Sequence, residues 1–131
     1  MGSINRFSPL VGRILMAQIF LISGFGKITG FAGTSGYIAS KGIPMPDLVT
    51  VGTILVEICG GLAVIVGWKA RWGAAALFVF TGLAAAIFHN FWSVAPDMAQ
   101  NQMIHFLKNI TIMGGLLYIV AFGSGPVSLK K

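Results

Sequence analysis

The sequence predicts an all-α fold, a polytopic membrane protein built as a four-transmembrane-helix bundle. Three observations predict it. The 131-residue chain is 56% hydrophobic and only 9% charged, with a mean hydropathy of +0.86. Soluble domains run nearer about 45–50% apolar and about 25% charged, so this chain lacks the polar residues to cover a water-facing surface. The apolar residues fall into four runs, Pro9 to Ile28, Leu48 to Trp68, Trp72 to Trp92 and Ile104 to Phe122, each close to the ~20 residues that cross a hydrocarbon core at ~1.5 Å per residue. The alternating pattern of barrel strands is absent, and a single segment in lipid satisfies its own backbone only as a helix.

Arg6 and Arg13 are followed by ILMAQIFLI, which resembles the apolar stretch of a signal peptide. The apolar character continues past Ser23 through Phe25 and Ile28 without a small-residue cleavage site, so a retained helix is expected. Thr29 to Asp47 holds Gly30, Gly33, Gly36, Gly42, Pro44 and Pro46 and reads as the longest loop. The second run ends at Lys69–Arg71, a tight connector to the third. Ser93 to Met103 is polar and fits a short interfacial helix before the fourth. One domain, residues 1–131, accounts for the whole sequence.

Charge placement supplies an orientation. Arg6, Arg13, Lys69, Arg71, Lys130 and Lys131 gather at one side with no acids, whereas Lys27, Lys41, Lys108, Asp47 and Asp97 share the other. The positive-inside rule places the first group, and with it both termini, in the cytoplasm. Trp68 and Trp72 then mark the inner interface and Trp92 the outer one. The net charge of +6 is dispersed at run ends and forms no basic patch, which argues against nucleic-acid binding. Cys59 is the one cysteine. It cannot supply a disulfide, a redox pair or a zinc site, and it reads as a small packing residue. A faint similarity between EICGGLAVIVGW and TIMGGLLYIVAFG suggests a parallel duplication of two hairpins.

Glu57 carries the functional reading. It is one of three acidic residues in the chain and lies mid-run, where an ionised carboxylate costs ~2.5–3.5 kcal/mol on insertion scales. Its side chain is too short to reach a headgroup, so it must be buried against a partner or kept neutral by apolar surroundings. Glu57, Gly60 and Gly61 fall at i, i+3, i+4, a face suited to close helix approach, and Gly114 and Gly115 do the same for the last helix. Ser23 and Lys27 share a face, and so do His105, Lys108 and Asn109. Lys27, His89, His105, Lys108 and Asn109 all lie at the outer ends of their helices, with Glu57 ~15 Å deep. Lysine stems reach along apolar surface, so Lys27 or Lys108 can lean toward Glu57. The competing reading of each lysine is snorkelling to headgroups, and Arg13 is expected to snorkel to the inner interface. His89 and His105 are candidate proton carriers; a haem or metal between them is a weaker reading, and no metal site is expected.

Several strings resemble the DoxX family. They are GRILMAQIFLISGFGKITGF with Gly36–Tyr37 and Gly42–Pro44 after it, EICGGLAVIVGWKARWGA, FHNFW and QMIHFLKNITIMGGLL, in the family's order over nearly the whole chain. The resemblance implies a small bacterial inner-membrane protein whose matching polar positions are Lys27, Glu57, His89, Lys108 and Asn109. The family takes its name from a subunit of an archaeal thiosulfate:quinone oxidoreductase, and some relatives are linked to redox stress. A quinone or similar small amphiphile is therefore the expected ligand, with the lipid bilayer, partner redox subunits or further copies of the chain as partners. No cysteine pair, flavin motif or metal signature is present, so no motif-bound cofactor is expected and thiosulfate oxidation by this chain alone is not. The competing function is a subunit or assembly factor whose buried charges are structural.

Overall fold

The computed structural model describes residues 2–129; Lys130 and Lys131, two of the charges used for orientation, lie outside them. The helices are α1 (Gly2–Thr29), α2 (Phe31–Ser40), α3 (Pro46–Val66), α4 (Ala70–Phe88) and α5 (Pro96–Phe122), with a 3-10 turn at Phe91–Ser93. Four candidate membrane spans lie in α1, α3, α4 with its following turn, and α5, so the all-α four-span class stands.

Three expected boundaries move. Helix α1 starts at Gly2, placing Pro9 inside it. The expected loop after α1 contains α2. Gly30 donates to the Gly26 carbonyl and Thr34 to the Gly30 carbonyl, so helical bonding bridges the junction despite the ~1 kcal/mol that each glycine costs against alanine. Ile38 and Ser35 are buried, and the Ser35 hydroxyl donates to Asp47 Oδ1 at the start of α3. Tertiary contact thus outweighs local propensity. The polar segment before the fourth run is no separate interfacial helix. Pro96 sits in its first turn with Asp97, and a proline there sacrifices no internal bond, so α5 runs unbroken from it.

Turns form where the backbone permits reversal. Gly67 at φ 75° closes α3 and Gly123 at φ 80° closes α5, both in the left-handed region that glycine enters without penalty. Neighbouring packing is extensive for α1 with α3, α3 with α4 and α4 with α5, and sparse for α1 with α5. The bundle is therefore a chain of packed helices with an open seam.

The molecule has two storeys. Ala17, Phe20, Val64, Ala74, Leu77 and Leu116 form the apolar core, toward the end that carries the start of α1, the α3–α4 turn and the chain's tail. Gly60 admits Leu77, since a Cβ there would lie 2.9 Å from Leu77 Cγ. Gly61 meets Ala17 and Leu21 in the same way, so the predicted small-residue face of α3 is a helix contact. Gly115 meets Met16, but Gly114 meets nothing within 4 Å; the expectation for the second glycine pair holds for one member only.

Two inward or outward assignments are corrected. Cys59 is exposed on the bundle surface instead of packed inside. Arg13 does not snorkel: it is 2% exposed, and its guanidinium donates to the carbonyls of Ser124 (2.8 Å) and Val127 (2.6 Å). Leu129 N–H donates to the Val66 carbonyl at 2.7 Å. The segment after α5 thus folds back across the bundle's end, and Arg13 collects the carbonyls it brings.

Candidate intramembrane binding site

The other storey holds a cavity of about 440 Å³, within the usual span of small-ligand pockets. All five helices line it. Lys27 comes from the last turn of α1, Glu57 from the middle of α3, His89 from the end of α4, and His105, Lys108 and Asn109 from α5. The six residues singled out in the sequence therefore surround one space. Tyr37 and Ile38 of α2 form part of its rim, where the Tyr37 ring packs 5.3 Å from Phe88.

The polar contacts are specific. Lys27 Nζ lies 2.8 Å from Glu57 Oε1 and 2.6 Å from Ser23 Oγ. The Glu57 side chain is 4% exposed and that of Lys27 23%, so the pair is largely removed from water. This settles which cation faces the carboxylate. The i, i+4 spacing of Ser23 and Lys27 then explains how the ammonium is held in place. Burying two charges costs several kcal/mol per ion, offset when geometry and further hydrogen bonds are good; the Ser23 contact is one such bond.

At the rim, His89 Nδ1 lies 2.9 Å from Gln102 Oε1, and the two imidazoles stack at 5.1 Å with an interplanar angle of 24°. Gln102 was not among the expected residues. Only the unbroken α5 brings it opposite His89, and its sole signal was a polar cluster before an apolar run. Phe91, Trp92 and Phe106 interlock edge to face at 5.2–5.5 Å, anchoring the turn that carries His89 to α5. Among the described residues no group of three or more His, Cys, Asp or Glu side chains is arranged to hold a metal ion.

Thr81 was also unexpected. It is 3% exposed, lines the cavity, and its hydroxyl has no partner. Thr50 and Thr111 instead donate to the carbonyl four residues earlier, the usual outlet for a helical threonine.

The DoxX family model matches residues 8–90. The chain belongs to the DoxX family. It is 37% identical over 131 residues to inner membrane protein YphA of Escherichia coli K12, covering 99% of this chain and 93% of that one. To YqjF of the same organism it is 39% identical over 131 residues, covering 100% and 95%. A Surfeit locus protein 4 homologue of Schizosaccharomyces pombe is 29% identical over 130 residues, 97% of this chain but 38% of that protein. No solved structure matches. This DoxX protein is a multi-pass inner-membrane protein. Lys27, Glu57 and His89 fall inside the family match, whereas Gln102, His105, Lys108 and Asn109 come from α5, beyond it.

Proposed function

We propose that this DoxX protein is a redox-linked membrane component that binds a quinone or similar small amphiphile in the cavity between its helices. The observation that carries the reading is the Lys27–Glu57 pair, largely removed from water, on the wall of a mainly apolar space. A soluble ligand would call for more polar lining. Phe80, Leu83, Ile87 and Phe88 suit a flat ring or an acyl chain. Reducing a quinone in a membrane consumes protons, and Glu57 is placed to hold one at the cavity wall. Ser23 and Lys27 keep its carboxylate oriented, while the hydrogen-bonded His89–Gln102 pair, with His105 stacked on His89, forms a polar cluster at the rim suited to exchange with water. Electrons would come from a partner redox subunit, since this chain carries no redox motif of its own. The orientation proposed has both termini cytoplasmic and the cavity rim facing out, as the charge distribution favours.

The test is Glu57→Gln in the purified, reconstituted protein. Affinity for a short-chain ubiquinone analogue and proton-coupled turnover with native membranes should both fall at least tenfold. Unchanged values would remove Glu57 from the mechanism. The second reading, a structural subunit, is favoured by the fact that Lys27 and Glu57 satisfy each other; it expects Glu57→Gln to weaken assembly and stability with no ligand effect.

A further inference from the structure

The proposed function leaves open what headgroup the amphiphile carries and how it enters. We infer that the cavity admits its ligand sideways from the bilayer, through the seam between α1 and α5, and selects a headgroup bearing a single oxyanion, held by Lys108. This rests on the cavity being a ligand site.

The route follows from packing. Helices α1 and α5 barely touch, unlike every other pair of adjacent spans. Where they meet, a Cβ at Gly115 would run into the methyl end of Met16, which floors the seam. Ser23 lies seven residues further along α1, ~10 Å above that floor. Over that height Ile19 and Ser23 on one side, and Asn109 and Ile112 on the other, line the cavity. The seam therefore opens where the hydrocarbon of the bilayer lies, and an acyl tail can remain in lipid while the headgroup enters.

The headgroup class follows from charge. Glu57, the acid on the cavity lining, is engaged by Lys27, and Asp47, outside the lining, by Ser35. No other acid lines the cavity, and Lys108 has no acidic partner among the described residues. The lining thus carries one uncompensated ammonium. Lys108 is exposed on α5 while also lining the cavity, so its ammonium is free to pair with an anion that arrives with the ligand. The Thr81 hydroxyl, buried and without a partner on the same cavity's lining, adds a second donor for a ligand oxygen. A phospholipid phosphate and a fatty carboxylate share this chemistry.

The experiment uses the full-length protein in nanodiscs of digalactosyldiacylglycerol, an uncharged glycolipid without a phosphate. Binding of oleate is compared with that of methyl oleate, which has the same chain without the charge. Oleate is expected to bind at least tenfold tighter, and Lys108→Gln should abolish that preference while leaving methyl oleate unchanged. Ile19→Trp, which bulks the α1 side of the seam at an exposed position outside the core, should slow oleate association at least tenfold without lowering thermal stability. Displacement of oleate by phosphatidylglycerol added to the disc would assign the oxyanion to a bilayer lipid, and its failure would assign it to a free carboxylate; both keep the selection. Equal affinity for oleate and methyl oleate, or a preference that survives Lys108→Gln, overturns the headgroup assignment. Unaltered association in Ile19→Trp overturns the route. If a neutral ubiquinone analogue still binds in those cases, the cavity remains a ligand site and only this inference fails. If no amphiphile binds at all, the underlying reading fails with it.

Discussion

At the residue scale, the Lys27–Glu57 pair decides whether buried charge here is a cost or a device. Glu57 announced itself in the sequence because a carboxylate amid apolar residues has few stable fates. Its partner did not, since Lys27 and Lys108 sit at similar heights and only the packing of α1 on α3 selects one. Lys27→Met leaves Glu57 buried and unpaired and should cost ~3–5 kcal/mol, whereas Lys27→Met with Glu57→Leu should recover most of that loss. Thermal unfolding in a mild detergent measures both. A double variant as unstable as the single one would mean that the destabilisation does not arise from an unpaired charge. Arg13 gives the opposite lesson. A basic residue near a run end is read as an interfacial anchor, yet this one is buried by the tail. Arg13→Gln should raise amide hydrogen exchange at residues 124–129, because the carbonyls of Ser124 and Val127 lose their charged donor at ~1–3 kcal/mol each.

At the element scale, hydropathy located the four spans because a bilayer accepts only helices of sufficient apolar length. It missed α2 and the first two turns of α5, which are too short or too polar to span. Both depend on tertiary partners: α2 on Asp47 and the rim of the cavity, the start of α5 on His89. The glycines separate in the same way. Gly60→Leu should destabilise by ~1–3 kcal/mol, because its Cβ would already lie 2.9 Å from Leu77 Cγ. Gly114→Ala meets open space and should be neutral or gain up to ~1 kcal/mol through helix propensity. Melting temperatures of the two variants check the pair, and a tolerated Gly60→Leu would contradict the close approach of α3 and α4.

At the scale of the whole molecule, an apolar core at one end and a cavity at the other divide the tasks of holding and binding. The tail closes the core end through Arg13, and α2 borders the cavity end. The proposed orientation makes Ser40, exposed on α2, reachable from outside the cell. Ser40→Cys in a Cys59→Ala background should react with an impermeant maleimide in spheroplasts, and protection until the membrane is permeabilised would reverse the topology.

The amino-acid order alone determined the membrane class, the four spans and the polar residues worth following, because burial in lipid penalises charge and unpaired backbone so heavily that composition and run length betray it. Which lysine faces Glu57, why Arg13 is buried, that α2 is helical and that α1 and α5 stay apart were decided only by tertiary structure. Those outcomes turn on side-chain contacts between helices far apart in the chain, and such contacts leave no periodicity to read.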